Sequence, residues 1–230
     1  MKKIQLSILT LAIILSSCSS LQKIITEPTS LETISAVKEV LNSSAFRAVK
    51  TLRKLNKKGV NGFLPPELEP VLGSLKSLGL GKEIDKVNLK IGAVSKIMAD
   101  ESAGIIEDAV KEIKFKDAVK IVAGGENAAT ETLRQAMYGS VKKRYSSRLE
   151  TELGKTEATQ YWPLAANAYN LFASKKVDGS LSDFMAERAV DALFLNMGKE
   201  ESKIRKNPKK LGKAVVTKVF DYYQKKKGKG

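Results

Sequence analysis

The residues able to do chemistry in this chain are set as much by what is missing as by what is present. There is no histidine, and there is one cysteine, Cys18. Without imidazole the Ser-His-Asp and Cys-His arrangements are excluded, as is any His ligand to zinc or haem iron. Carboxylates, Lys, Tyr or a Ser-Lys pair remain. Asp183, Glu187 and Asp191 recur every fourth residue and so share one helical face. Paired carboxylates do acid–base work when their surroundings push their pKa values apart; the alternative is a polar seam paired with Arg188 or Arg205. Gly124-Gly125 feeds a helix start that leads to Thr130 and, one turn on, Arg134. Such a start can hold an anion on its free N–H groups and dipole. It lacks the Lys-Ser/Thr ending of a P-loop, and no strand precedes it. The alternative is a helix–helix corner where glycines permit close approach. Lys142-Lys143-Arg144 with Arg148 forms a basic helical face, suited to acidic polymer or headgroups or simply to solvent. Tyr161-Trp162-Pro163 with Tyr169 and Phe172 is the densest aromatic group, and core packing explains it more readily than a ligand platform.

The setting of Cys18 gives it a different chemistry. Met1-Lys2-Lys3 is a short positive start, and residues 4–15 are apolar except for Gln5, Ser7 and Thr10. This is the pattern of a secretory signal peptide. Its apolar run is about a dozen residues, against the roughly 20 that a spanning helix needs. Leu15-Ser16-Ser17-Cys18 resembles the bacterial lipobox. The resemblance implies a diacylglyceryl thioether on Cys18, cleavage before it, and acylation of the new amino group. Two or three acyl chains anchor stably where one binds only marginally. A lipidated Cys18 leaves no thiol and no internal disulfide. Ser19, where Asp would favour inner-membrane retention in enteric bacteria, points to the outer membrane. The expected organisation is a signal peptide over 1–17, a lipidated tether over 18–30, a helical domain over 31–223 and a basic tail over 224–230. A dozen extended tether residues reach at most about 40 Å, so the body stays near the bilayer.

The elements that must position these residues all have helical period. Thr29 and Glu32 have capping-box spacing. Ile34, Val37, Leu41, Ala45, Ala48, Leu52 and Leu55 then line one face of a long helix, closed by Lys57-Lys58-Gly59. After a loop at 60–66, Pro66 opens a helix with Leu68, Val71, Leu72, Leu75 and Leu78 inward, and Gly79-Leu80-Gly81 breaks it. Ile84 through Ile97 begins another helix. Ile105 to Ile113 continues or follows it, with Gly92 and Gly104 arguing against a single rod. Asp117 caps a short helix over Ala118 to Ala123, and Asn127 caps the next, which carries Leu133, Met137, Val141, Tyr145 and Leu149 and stops at Gly154. A helix is expected over 158–173, with Pro163 as a kink or start. Ser180 or Ser182 caps a helix that runs to about Arg205 and is apolar nearly all round, hence central. Asn207-Pro208 begins the last helix, with Leu211, Val215, Val216, Val219, Phe220 and Tyr223 inward. No stretch alternates with period two. The fold class is all-α, a single compact domain of about seven to nine helices.

Several of these segments together resemble a bacterial family catalogued as domain of unknown function 4197. They are Gly62-Phe63-Leu64, Leu78-Gly79-Leu80-Gly81-Lys82, Asp117-Ala118, Gly124-Gly125 with Ala128-Ala129-Thr130 and Arg134, Ala189-Val190-Asp191-Ala192-Leu193-Phe194, and Ile204-Arg205-Lys206-Asn207-Pro208. The likeness spans about residues 30 to 220. It implies an exported helical protein, often a lipoprotein, and it brings no catalytic residue. Family members usually carry an aromatic before the Arg where this chain has Leu133.

Charge bears on partners. The net charge of +15 falls to +13 without Lys2 and Lys3. Basic charge invites a nucleic-acid reading, but an exported lipoprotein meets anionic headgroups and envelope polymers first, so no nucleic acid is expected. A Lys-rich, solvated surface is the plainer account. No metal and no cofactor are expected. The first functional reading is a non-enzymatic, membrane-tethered protein that binds a partner or an anionic envelope component. The alternatives are a carrier of lipid or another apolar ligand, and a hydrolase built on carboxylates or Lys.

Overall fold

Thr29 and Glu32 close the capping box that their spacing predicts. The Glu32 N–H donates to Thr29 Oγ1 at 3.2 Å, and the Thr29 N–H donates to Glu32 Oε2 at 2.9 Å. Helix α1 runs from there over Ser30–Lys57. Its expected stripe is inward, with Val37, Leu41, Ala45 and Ala48 at most 2% exposed. The structure, a computed structural model, describes residues 26–57, 73, 76–154, 158–171, 176–177 and 180–228. Cys18, the signal peptide, most of the tether, the 60–66 loop and most of the helix expected after Pro66 lie outside the described residues.

A turn over Lys76–Leu80 holds Gly79 at φ 89°, in the left-handed region that glycine tolerates. Helix α2, Gly81–Glu112, then passes through both Gly92 and Gly104. The helix is continuous and not broken at either glycine, because glycine lowers helix propensity by only about 1 kcal/mol and Val94, Met98, Ile106, Ala109 and Val110, on both sides of Gly104, are buried. Helix α3, Ala118–Ala123, is capped by Asp117, whose Oδ1 accepts from the Lys120 N–H at 2.9 Å. Helix α4 is Ala128–Leu153 and ends at Gly154. Helix α5, Ala158–Asn170, carries Pro163 inside it. Helix α6 is Leu181–Lys206, capped by Ser180, which accepts from the Asp183 N–H. The last segment departs from expectation. Pro208–Leu211 is only a short 3-10 turn, because Gly212 at φ 72° reverses the chain, and helix α7 begins afterwards at Ala214 and runs to Lys227. Residues 224–227, expected as a tail, are its final turn.

These seven α-helices bury α6 at the centre, against α1 on one side and α4 on another. α2 packs on α1 and α4, and α3 and α7 close the remaining side of α1. On α6, Val190, Leu193, Phe194 and Met197 are at most 2% exposed, as a helix apolar nearly all round requires. Trp162 of α5 lies 4.9 Å from Phe184 between ring centroids, and Tyr169 is buried too. That part of the aromatic group therefore packs in the core; the Tyr161 side chain and Phe172 lie outside the described residues. No helix among the described residues is long and apolar enough to cross a membrane.

Candidate functional site

The corner between α3 and α4 has an ionic plug. Helix α3 ends with carbonyls that need donors, and α4 begins with N–H groups that need acceptors. Glu201 and Arg205, one turn apart on α6, supply both. The Glu201 carboxylate accepts from the Ala129 N–H at 3.0 Å, the Thr130 N–H at 2.7 Å and the Thr130 hydroxyl at 2.6 Å. Arg205 donates from Nε to Glu201 at 2.7 Å, from Nη1 to the Val122 carbonyl at 2.8 Å, and from Nη2 to the Ile121 carbonyl at 3.0 Å. A cation thus stands at the negative end of α3 and an anion at the positive end of α4, the arrangement both dipoles favour. Arg205 also lies 5.0 Å from the Phe220 ring centroid, which ties α7 to the same point. Glu201 is fully buried and Arg205 nearly so.

Among the residues singled out from sequence, Gly124, Gly125 and Thr130 stand at this corner. Thr130 and its N–H face Glu201, so the anion at this helix start is the protein's own carboxylate. Asn127 occupies the capping position, but its side chain donates to Glu131 instead. Gly124 is there for space: a Cβ on it would lie 2.9 Å from Ala128 Cβ and 3.1 Å from the Lys120 carbonyl oxygen. Gly125 has open space around it.

Arg134 is not part of the corner. It belongs to a ladder between α4 and α6. The side chains at 134, 138, 142 and 146 step by four along α4, and the helices run antiparallel, so each meets one of the three acids of α6. Arg134 Nη2 and the Tyr138 hydroxyl both donate to Asp191 Oδ1, at 3.1 and 3.0 Å. Lys142 pairs with Glu187 at 3.0 Å, and the Ser146 hydroxyl donates to Asp183 at 2.6 Å. The seam expected from Asp183, Glu187 and Asp191 exists, and each of its acids meets a donor of α4; Arg205 is committed to Glu201, and Arg188 stacks over Phe184 at 5.5 Å. Burial, with Asp191 next, pushes the Tyr138 phenol up to about 12. The hydroxyls of Ser146 and Ser180 hold the Asp183 carboxyl below its usual range. The basic face of α4 is largely spent as well: Arg144 reaches Glu112 and Asp108, and Arg148 reaches Glu101. Inside, Tyr145 donates to the Ser102 hydroxyl, which donates to the Met98 carbonyl at 2.6 Å, and burial raises the Tyr145 phenol.

Two open clefts adjoin these networks. One, of about 320 Å³, lies beside the plug between α3, α6 and α7, with Phe220 and Tyr223 on one wall and Glu126, Ser202 and Lys206 on the rim. There the Ser202 hydroxyl donates to Glu126 at 2.6 Å and Lys206 pairs with it at 3.3 Å. The other, of about 240 Å³, is lined by Phe184, Val177 and a mixed ring of Lys142, Lys176, Asp183, Glu187 and Arg188. No group of three His, Cys, Asp or Glu suited to a metal stands among the described residues.

A family model described as protein of unknown function (DUF4197) matches residues 27–221. The chain belongs to that family. No curated protein and no solved structure matches it. In this DUF4197 chain, segments far apart in sequence that carried the resemblance meet in space. The Gly124-to-Thr130 stretch is sealed by Glu201 and by Arg205 of the Ile204-to-Pro208 stretch, and Arg134 meets Asp191. Sequence reasoning passed over Glu201. Its signal was position, because it continues the buried stripe of Val190, Phe194 and Met197 and is followed by Ile204.

Proposed function

We propose that this chain is a lipid-anchored protein of the bacterial envelope, held by acyl chains on Cys18, that binds a partner and does not turn over a substrate. The observation that carries the anchor is the sole cysteine of the chain standing directly after Leu15-Ser16-Ser17 and an apolar run of signal-peptide length. Ser19, where an Asp would favour inner-membrane retention, supports an outer-membrane anchor that faces the periplasm or the cell surface. The polar networks support binding over catalysis. Glu201 is enclosed by donors, and Asp183, Glu187 and Asp191 each face a donor of α4 rather than one another. This arrangement does not favour a hydrolase built on two facing carboxylates. An apolar-ligand carrier needs a dry chamber, whereas Tyr145, Phe194, Phe220, Met98, Met185 and Met197 fill the interior. The open cleft beside Phe220, Tyr223 and Lys206 is the place this reading assigns to the partner. The test is labelling with radioactive palmitate and fractionation. The unaltered chain takes up label and sediments with membranes, and Cys18→Ser does neither; identical behaviour of the two sinks the anchor. Mass spectrometry of what co-purifies with the detergent-solubilised chain then identifies the partner.

A further inference from the structure

The two ends of the body are not equivalent. Helix α7 lies antiparallel to α1: Lys213 pairs with Glu39 at 3.4 Å and Lys218 with Glu32 at 2.6 Å. The last turn of α7 therefore stands at the end of the molecule where the chain arrives from Cys18. That turn is held in place, because the Gln224 side-chain amide donates to the Arg205 carbonyl at 2.6 Å. It presents Lys225 and Lys226, both exposed. On α7 Lys218 faces a carboxylate, whereas these two have no ion pair among the described residues; Lys226 only lies 6.0 Å from the Tyr222 ring centroid. Leu31, in the first turn of α1 at the same end, is 80% exposed. From Cys18 to Thr26 the chain spans at most about 30 Å.

We propose that this end is a second membrane contact, in which Lys225 and Lys226 lie against anionic phospholipid headgroups and Leu31 meets the headgroup–acyl boundary. The inference rests on the Cys18 anchor proposed above, which holds this end near the bilayer. Acyl chains fix distance and leave orientation open. Unpaired lysines are attracted to an anionic surface within about a Debye length, and an apolar side chain among them adds burial. The contact sets the orientation: the C-terminal end of α1, roughly 40 Å away along its 28 residues, points from the membrane.

The test uses the mature chain, residues 18–230, carrying Cys18→Ser so that no lipid contributes. It binds phosphatidylglycerol vesicles and not phosphatidylcholine vesicles in a sedimentation assay. Lys225→Gln with Lys226→Gln weakens that binding about twenty-fivefold, at about fivefold per lysine. Lys50→Gln with Lys54→Gln removes the same charge at the far end of α1 and leaves binding within about twofold. Equal losses in the two pairs overturn the proposal, since binding then follows net charge alone, and so does the absence of binding. In the same background Leu31→Cys is the sole thiol. An environment-sensitive dye on it shifts to the blue with phosphatidylglycerol vesicles, and one on Lys54→Cys does not; no shift at position 31 overturns the docked face. Palmitate labelling of the unaltered chain reports separately on the anchor, so the two failures are distinguishable.

Discussion

Glu201 caps the start of a helix from 71 residues beyond Thr130: its carboxylate takes both the backbone N–H and the hydroxyl of Thr130, while Arg205 balances its charge. A buried pair of this kind does not itself guarantee net stabilisation, but removing one member leaves the other buried and uncompensated. Glu201→Ala is expected to cost about 3–5 kcal/mol, read as a lower urea midpoint at unchanged slope. Glu201→Leu with Arg205→Met costs less than the sum of its single changes, because neither charge is stranded. It still falls short of the unaltered chain, since the Ile121 and Val122 carbonyls lose their donors. Additive single and double changes would contradict the coupling.

The two glycines of the same corner should part company. A Cβ at Gly124 meets Ala128 Cβ at 2.9 Å and two carbonyl oxygens near 3.1–3.2 Å, so Gly124→Ala forces α3 and α4 apart. The expected cost is about 1–3 kcal/mol. Gly125 has room and lacks a positive φ, so Gly125→Ala is neutral or gains up to about 1 kcal/mol through a less flexible unfolded chain. Thermal melts of the two variants check the order; equal shifts would mean that the corner does not depend on close approach.

How much of this was legible in the sequence depended on range. Local signals held: the Thr29–Glu32 box, the Asp117 and Ser180 caps and the Gly154 stop each follow from residues within one turn. The unbroken α2 was harder, because Gly92 and Gly104 argue locally for a break that packing along the apolar stripe overrides. The start of α7 was misplaced because Pro208 can open a helix, while Gly212 four residues later takes a left-handed conformation. The partners of Asp183, Glu187 and Asp191 were sought at Arg188 and Arg205, in the same helix. A donor to each of them sits in α4, where Arg134, Tyr138, Lys142 and Ser146 repeat the four-residue step, and nothing short of the α4–α6 contact pairs the two series. Glu201 was overlooked because a Lys-Glu-Glu-Ser run reads as surface until its place on the buried stripe is counted.

Alkaline pH should loosen the ladder. Tyr138 titrates near 12 in the folded state against an ordinary 10.0. Between those values the folded chain keeps a proton that the unfolded chain has released. The contribution is thus whole below about pH 10 and is lost as the pH rises toward 12. Tyr138→Phe is expected to flatten the fall in stability over this window and to remove one late component from the ultraviolet phenolate titration. Loss of a component that titrates near the ordinary 10.0 instead would show that Tyr138 is not shifted in the folded chain.

Acid acts on the opposite end of the same ladder. Asp183 is held below its ordinary 3.8, first by the Ser146 hydroxyl, which donates at 2.6 Å, and then by Ser180 at 3.0 Å. A depressed carboxyl contributes stability that is present above its unfolded value and is lost as the pH falls through the folded one. Stability should therefore decline below about pH 4, and Asp183→Asn should show a shallower decline with a lower plateau at neutral pH. Because Ser146 stands on α4 and Ser180 begins α6, Ser146→Ala separates the two contributions. It shrinks the acid-dependent part while leaving the Ser180 cap, and hence the helicity of the first turn of α6, in place. Chemical denaturation across pH 2.5–7 (roughly the window set by those two values) decides it: equal acid slopes for the unaltered chain and Ser146→Ala would place the depression of Asp183 within α6 alone.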